Sequence, residues 1–235
     1  MPQQGLEVLI VNKLIVQAFA GLAFLLVVLG LVLFLSAASF SFWQAWVYLA
    51  VFGVCTLLIT LYLMRFDQRL LASRVQAGPV TETQKTQQVI QGFASLFFIG
   101  LFIVAGLDYR FHWSVVPLAA SVIADIFVAL GFYFVFLVFK ENSFTSDTIE
   151  VKDEQKVVTT GPYAVVRHPM YAGASVLLIF TGMALGSWVA IPFALPLILV
   201  VAIRLVEEEK FLAANLAGYE AYRQKVRYRL IPMIW

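Results

Sequence analysis

Several long windows almost free of charged side chains constrain the fold of this chain more than any other feature. The first four cover residues 14–35, 44–64, 89–107 and 115–139. A helix needs about 20 apolar residues to cross about 30 Å of hydrocarbon, so each window predicts a membrane-spanning helix. The first window is too long for a signal-peptide core and has no cleavage-like end, so we expect it in the mature protein.

A fifth apolar run, over residues 170–206, is too long for a single crossing. It is interrupted by the sequence GMALGSW and then by Pro192 and Pro196, which favours a helical hairpin. Hydrophobic residues make up 62% of the chain and charged residues 13%, whereas soluble domains are about half apolar and a quarter charged. The sequence therefore predicts an all-α, polytopic membrane bundle of about six transmembrane segments that ends in a C-terminal hairpin.

Basic residues are concentrated on one side of the predicted bundle. The loops after the second and fourth segments and the stretch 204–229 carry most of the Lys and Arg residues, whereas the opposite loops contain only Arg110. By the positive-inside rule, the basic side and both termini should face the cytoplasm. In a prokaryotic cell the protein would lie in the inner membrane, with its polar chemistry directed towards cytosolic cofactors.

Other classes of site are disfavoured by composition. The formal net charge is only +2, and no basic stripe with interleaved aromatic residues indicates nucleic-acid binding. Cys55 is the single cysteine, so the sequence predicts no disulfide framework. His112 and His168 are the only histidines and are expected on opposite sides, so no metal site is expected. The sequence makes no prediction of the oligomeric state.

The motif GPYAVVRHPMYAG, residues 161–173, places polar side chains directly before a new apolar run. Arg167 and His168 could simply be interface anchors. However, Pro169 is typical of the first helical turn, so it indicates a helix start whose free backbone N–H groups face the cytoplasm. Such a helix end suits a carboxylate or another anionic ligand group.

A second polar cluster is RLVEEEKFL, residues 204–212. Arg204 and Glu208 could form a simple ion pair at a helix end. Three consecutive glutamates leaving a membrane helix are nevertheless costly unless they meet water or a cationic ligand. In a hairpin, this cluster would lie beside the His168 region, and the two together would suit a zwitterionic ligand with ribose hydroxyls.

The remaining polar features allow two interpretations each. Asp125, inside the fourth apolar window, is either a functional acid turned towards a cavity or a hydrogen-bonded structural acid. Asn142 either caps the end of that helix or faces the site. The tail, whose apolar residues recur at helical spacing, is either an amphipathic helix on the membrane or a solvated helix end with basic anchors. Those apolar residues are Phe211, Leu212, Leu216, Tyr219 and Tyr222.

Three elements in a fixed order resemble the isoprenylcysteine carboxyl methyltransferase family, which is related to the phospholipid methyltransferases. They are ENSF at 141–144, GPYAVVRHPMYAG at 161–173 and RLVEEEKFLAANLAGYEAYRQKVRYRLIP at 204–232. The resemblance implies a membrane enzyme that uses S-adenosylmethionine in a cytoplasmic cleft. It also implies a division into N-terminal helices for acceptor access, 1–112, and a methyltransferase core with an amphipathic tail, 113–235.

The resemblance also implies roles for particular residues. The cofactor would be bound by Tyr163, Arg167, His168, Pro169, Tyr171, Gly173, Glu208 and Glu209. Arg204 would face the methyl acceptor. Asn142 and Asp125 are further candidates for the catalytic region, because the first lies in a matching motif and related enzymes can carry an acid in the corresponding helix.

We therefore expect methyl transfer from S-adenosylmethionine to an amphiphilic, isoprenoid- or lipid-like acceptor that enters from the bilayer. O-methylation of a carboxylate is the favoured reaction, because Arg204 could bind that group in a bidentate manner. One alternative is an NADPH-dependent membrane reductase of the sterol-reductase type. The other is a membrane scaffold or transporter, suggested by Asp125 and the broken helix pair.

Overall fold

A computed structural model describes residues 2–75, 85–145 and 155–235, with side chains described from residue 12 onwards in the first helix and from residue 88 in the fourth. These residues form helices and turns only, which confirms the predicted all-helical membrane bundle. The eight α-helices are α1 (Pro2–Ala37), α2 (Trp43–Phe66), α3 (Gln68–Val75), α4 (Lys85–Phe111), α5 (Leu118–Glu141), α6 (Pro169–Ala184), α7 (Ala194–Asn215) and α8 (Tyr219–Lys225).

Four of the described helices are long and apolar enough to cross a membrane: α1, α2, α4 and α5. The other two expected segments are different. Helix α6 is apolar but has only 16 residues, and α7 continues beyond residue 206 through the three glutamates to Asn215. The bundle therefore combines four full-length helices with a C-terminal hairpin of one short helix and one helix with a charged end.

The break between α6 and α7 follows the glycine and proline pattern. Gly186 has a φ of +74°, a left-handed conformation that glycine adopts without the steric cost of a side chain. A short 3₁₀ turn, Ile191–Phe193, then leads into α7. Pro196 lies in the first turn of α7, where its missing N–H removes no helical hydrogen bond. The chain reverses here, so the start of α6 lies beside the charged end of α7.

The core is built from residues of α1, α2, α4 and α5 and from the turn after α6. Its fully buried side chains include Leu33, Phe42, Phe102 and Val128. Large apolar side chains on the outer surfaces of the long helices are exposed instead, for example Phe24, Leu58 and Leu96. Exposed apolar surface of this extent on long helices is expected where lipid is the solvent.

The close approach of α5 and α6 depends on two glycines. A Cβ atom added at Gly131 would lie 2.8 Å from Leu177 Cδ2, and one added at Gly173 would lie 2.9 Å from Val135 Cγ2. Each added Cβ would also lie 3.3 Å from the backbone oxygen of the other glycine. Small residues allow helix backbones to approach in this way. This contact fixes the start of α6 relative to the end of α5. We call the end of the bundle at which α5 ends, at Glu141, and α6 begins, at Pro169, the site end.

The opposite end of the bundle is held by a buried carboxylate. Asp108 accepts hydrogen bonds from the backbone N–H of Ser114 at 2.7 Å, from Ser114 Oγ at 2.6 Å and from Ser187 Oγ at 2.5 Å. The Ser187 hydroxyl also accepts a bond from the N–H of Ala190. Asp108 therefore joins the loop between α4 and α5 to the turn between α6 and α7.

Candidate active site

A cavity of about 420 Å³ lies at the site end, where α4 and α6 begin and α5 and α7 end. Its volume is within the range of about 300–1,000 Å³ that is usual for small-molecule sites. Most of the residues predicted from the sequence line it. They are Asn142, Tyr163, Arg167, His168, Pro169, Tyr171, Arg204 and Glu208.

The end of α5 positions an aromatic wall of the cavity. The Asn142 N–H caps the helix by donating to the Val138 carbonyl at 2.9 Å, and its side-chain Nδ2 donates to Tyr163 Oη at 3.0 Å. Both sequence-based interpretations of Asn142 are therefore compatible with one position, since the residue ends the helix and lines the cavity. Burial raises the pKa of the Tyr163 hydroxyl to about 12, so the hydroxyl is neutral at pH 7.

The first turn of α6 also faces the cavity. His168 occupies the N-cap position, Pro169 is the first helical residue, and Met170 and Tyr171 line the cavity. The first backbone N–H groups of a helix have no partner within the helix, and the helix dipole is positive at this end. The predicted helix start is confirmed, and this position can bind an anionic group.

A hydrogen-bonded chain of three side chains crosses the cavity wall from α6 to α7. Tyr171 Oη donates to Glu208 Oε2 at 2.6 Å, and Arg204 Nε donates to Tyr171 Oη at 3.2 Å. The two predicted polar clusters therefore meet through Tyr171. Its ring also stacks near the His168 imidazole, with ring centroids 5.9 Å apart. This chain holds a guanidinium and a carboxylate beside the same cavity.

Glu209 occupies a different environment from its neighbour Glu208. Only 3% of Glu209 is exposed, and its carboxylate accepts from Arg167 Nε at 2.5 Å and from Arg229 Nε at 2.8 Å. His168 Nε2 lies 3.6 Å from the same carboxylate. The Arg167 guanidinium also donates to the carbonyls of Val226 and Arg227. Glu209 therefore anchors the residues after α8 against the His168 region.

The ionisation of Glu209 reflects this cluster. Burial alone would raise the pKa of its carboxyl group, but the neighbouring His168, Arg229 and Arg167 side chains outweigh that effect. Together they lower the pKa from 4.5 to about 2. The carboxylate is therefore ionised throughout the physiological range and holds its two arginine partners in place.

The end of α7 and α8 cover the cavity with aromatic side chains. Tyr219 and Tyr222 are buried with Leu216 and Val226, and they pack against Tyr163. Tyr222 Oη donates to the Tyr163 carbonyl at 2.8 Å. Four of the five tail residues with helical spacing, Leu212, Leu216, Tyr219 and Tyr222, thus contribute to a protein core beside the cavity.

Among the described residues, His168 Nε2 and Tyr219 Oη lack a hydrogen-bond partner, and the nearest carboxylate to His168 Nε2, that of Glu209, lies 3.6 Å away. The exposed fractions of His168 and Tyr219 are 5% and 4%. A buried polar group without a partner is costly, and a bound polar ligand would remove that cost. The cavity thus combines a positive helix end, opposite charges, aromatic surface and unsatisfied polar atoms on His168 and Tyr219. Among the residues that the structure describes, no group of three His, Cys, Asp or Glu side chains could hold a metal ion.

Comparison with known proteins finds a family match over the part of the chain that supplies most of the cavity lining. Residues 119–217 match the family model described as phospholipid methyltransferase. We call residues 119–217 the phospholipid methyltransferase segment, or family segment, after the model that they match. The match confirms the resemblance at the family level and supports a membrane methyltransferase in general. No curated protein matches the chain.

The phospholipid methyltransferase segment contains α6 and α7 and leaves out residues 113–118 and 218–235 of the predicted core region 113–235. Its boundaries include Asn142, His168, Tyr171, Arg204 and Glu208, so these polar lining residues come from the family segment. Other parts of the lining lie outside it. They are Arg74, Gln91, Ala94, Ser95, Tyr219 and Tyr222.

Sequence reasoning assigned none of these six residues to the site. In α4, Gln91 and Ser95 are four residues apart and therefore share one helix face, whereas Val89 and Leu96 are exposed. The sequence pattern that could have indicated a contribution of α4 to the site is this pair of polar residues on one face of an otherwise apolar window. For Tyr219 and Tyr222 the signal was their helical spacing, which indicated a buried face without showing what covered it.

Three predicted site residues lie outside the lining of the cavity. Gly173 is in the contact between α5 and α6, and Glu209 is in the ion cluster behind His168. Asp125 is 17 residues before Asn142 on the same helix, which corresponds to about 25 Å along the axis. Its carboxylate oxygens are buried and have no hydrogen-bond partner among the described residues. Direct roles for these three residues in binding or catalysis stay predictions.

Proposed function

We propose that this protein transfers a methyl group from S-adenosylmethionine to a carboxylate of an amphiphilic, isoprenoid- or lipid-like acceptor. The observation that carries the proposal is the Arg204, Tyr171 and Glu208 chain in the wall of a cavity formed by the phospholipid methyltransferase segment. The unpartnered atoms of His168 and Tyr219 in the same cavity support a polar ligand there.

The residues present fit S-adenosylmethionine. The free N–H groups at the start of α6 suit its carboxylate, and Glu208 suits a positively charged group. Tyr163 and Tyr222 provide aromatic surface for the adenine ring, while His168 Nε2 and Tyr219 Oη can hydrogen-bond to polar groups. When bound, this cofactor supplies an electrophilic methyl group attached to a sulfonium ion.

The protein has to align the acceptor and exclude water. An acceptor carboxylate is already anionic, so this chain would not have to supply a base, and the carboxylate oxygen would displace the sulfonium leaving group from the methyl carbon. Arg204 would hold the carboxylate, and Tyr171 fixes the Arg204 side chain by accepting from its Nε. Alignment of this kind can supply a large part of a rate enhancement because the reactants no longer have to find each other.

We also propose that the site end faces the cytoplasm and that both termini lie there. The positions of the basic residues support this orientation, since Arg110, in the last turn of α4, is the one Lys or Arg residue in or next to the loops at the opposite end. A cytoplasmic site end would give the cavity direct access to a water-soluble cofactor.

The reaction can be tested in nanodiscs with S-adenosylmethionine that carries a labelled methyl group, using a lipid extract as the source of acceptors. A methyl ester releases labelled methanol on mild alkaline treatment, whereas an N-methyl or S-methyl product does not. We expect alkali-labile lipid label with the native chain and a large loss with Arg204→Lys, which keeps the charge but removes the bidentate geometry. Alkali-stable label would contradict carboxylate methylation and would indicate an amine or a thiol acceptor, whose proton Glu208 could take.

The two other functions make different predictions. An NADPH-dependent reductase should bind NADPH in the cavity and should leave S-adenosylmethionine unconverted. A transporter requires a polar path across the bilayer, yet the polar lining of the cavity lies at one end of the bundle, and Asp125 is about 25 Å away along α5. The methyltransferase proposal is therefore the one that uses the observed arrangement most completely.

A further inference from the structure

The residues after α8 form an exposed apolar surface beside the site. Ile231 is 47% exposed, Met233 is 86% exposed and Ile234 is 77% exposed. We call these three residues the tail surface. Lys225 and Arg227, just before it, are also exposed. An apolar surface with basic neighbours is typical of segments that lie at a membrane interface.

Backbone hydrogen bonds fix the depth of this segment relative to the bundle. The Arg167 N–H donates to the Tyr228 carbonyl at 2.9 Å, and the His168 N–H donates to the Arg229 carbonyl at 2.9 Å. Residues 228 and 229 therefore lie at the level of the residues that precede Pro169, where the apolar helix α6 begins. The tail surface follows within a few residues and so lies close to the level of the bilayer boundary.

The conformation of residues 229–235 also indicates that the exposed apolar side chains have a function. The Trp235 backbone oxygen accepts from the N–H groups of Arg229, Leu230 and Ile231 at 2.9, 3.0 and 3.1 Å, which closes residues 229–235 into a compact turn. Met233, after Pro232, has a φ of +66°. Glycine or asparagine is usual at such a position, and strained residues tend to occur where their side chains have a function.

We propose that the tail surface docks into the lipid interface of the membrane that holds the bundle, with Lys225 and Arg227 beside anionic headgroups. Charge complementarity favours lipid as the partner of the tail surface, because the leaflet facing the cytoplasm carries anionic lipids that attract basic segments. The Arg229 guanidinium carbon lies over the Trp235 ring, 5.5 Å from the ring centroid. Tryptophan is common at the lipid interface.

Docking of the tail surface would also affect the candidate active site. Arg229 donates to Glu209, which in turn accepts from Arg167, so the tail surface is joined to the His168 region by side-chain and backbone bonds. A tail surface held by lipid would keep these bonds in place, and an undocked one would strain them. This consequence rests on the proposed methyl transfer, whereas the docking itself rests only on the proposed cytoplasmic orientation.

The docking can be measured with spin labels. In a Cys55→Ala background, single cysteines replace Met233 and, as the control, the exposed Glu220 of α8. In nanodiscs containing anionic lipid, the label at 233 should be more accessible to oxygen than to a water-soluble nickel complex, and the label at 220 should show the reverse. Equal access of the nickel complex to both labels would overturn the docking, and so would a label at 233 that neither reagent reaches, since that would indicate a protein partner or a second copy.

The coupling to the site needs a separate measurement. Met233→Asp should weaken binding of S-adenosylhomocysteine in anionic nanodiscs about fivefold, whereas Met233→Leu should leave it unchanged. Equal affinities for the two variants would overturn the coupling. If the native chain binds no S-adenosylhomocysteine, the proposed function fails, but the spin-label result still decides whether the tail surface docks.

Discussion

Replacing Glu209 by glutamine should destabilise the protein and weaken cofactor binding. The carboxylate is buried between Arg167 and Arg229, and its pKa is lowered from 4.5 to about 2. At about 1.4 kcal/mol per pKa unit, the lowering corresponds to about 3 kcal/mol of interaction with the ionised form. Removing one partner of a buried ion pair generally costs about 3–5 kcal/mol. We therefore expect Glu209→Gln to lower the free energy of unfolding by about 3 kcal/mol.

The neighbouring Glu207 is a matched control, because it pairs with Lys210 at 2.8 Å on an exposed part of the same helix. Exposed ion pairs contribute about 1 kcal/mol or less, so Glu207→Gln should have little effect. Both variants can be compared with the native chain by thermal unfolding and by titration with S-adenosylhomocysteine in nanodiscs. Similar behaviour of the two variants would refute the anchoring role of Glu209.

The pH dependence of this effect follows from the sign of the pKa change. The folded state lowers the pKa of Glu209, so its contribution to stability is fully present above about pH 4.5 and is lost as the pH falls towards about 2. The stability difference between the native chain and Glu209→Gln should therefore be constant from pH 7 to about 5 and should shrink below that. A difference that persisted unchanged at pH 3 would contradict this assignment.

Three further substitutions test other parts of the structure. Tyr171→Phe removes the link to Glu208 and should lower turnover about tenfold or more, with a smaller change in the affinity for S-adenosylhomocysteine, as measured by kinetics and titration. Gly173→Val inserts a side chain against the backbone of Gly131 and should reduce both stability and cofactor affinity, whereas an unchanged melting temperature would contradict the close helix approach. Asp108→Ala should cost about 2–4 kcal/mol of stability in thermal unfolding, while the cofactor affinity of the remaining folded protein stays unchanged.

Much of the fold could be predicted because hydropathy and helix-breaking residues act locally. The four long helices follow from windows long enough to cross a bilayer, and the hairpin follows from Gly186 and the prolines near 192. The number of crossings was less well determined, because the length of an apolar run does not show where a helix starts. Helix α6 has only 16 residues, and α7 extends nine residues past 206.

The site was predictable where its residues share a sequence motif. Arg204 and Glu208 were placed beside His168 by the hairpin argument, and the Tyr171 link confirms that these two clusters meet. The different environments of Glu208 and Glu209 could not be read from the sequence, because adjacent helical residues point about 100° apart and their partners come from distant segments. The partner Arg229 lies 20 residues further along the chain, in a turn with no strong local pattern.

The contribution of α4 could not be predicted for a related reason. Gln91 and Ser95 are ordinary polar residues in an apolar window, and only the packing of the bundle brings them to the cavity. Asp125 illustrates the opposite case, since its polarity made it conspicuous although the structure places it far along α5 from Asn142. Polarity within a membrane segment indicates a special environment but not which one.

The central claim, that the cavity is a site for S-adenosylmethionine, is tested most directly by calorimetric titration of the nanodisc-embedded protein with S-adenosylhomocysteine and, in parallel, with NADPH. We predict saturable binding of S-adenosylhomocysteine and none of NADPH. Tyr219→Phe and His168→Ala, which remove Tyr219 Oη and His168 Nε2, should each weaken the binding, while Glu207→Gln should not. Binding of NADPH alone, or binding of S-adenosylhomocysteine that neither variant affects, would contradict the account.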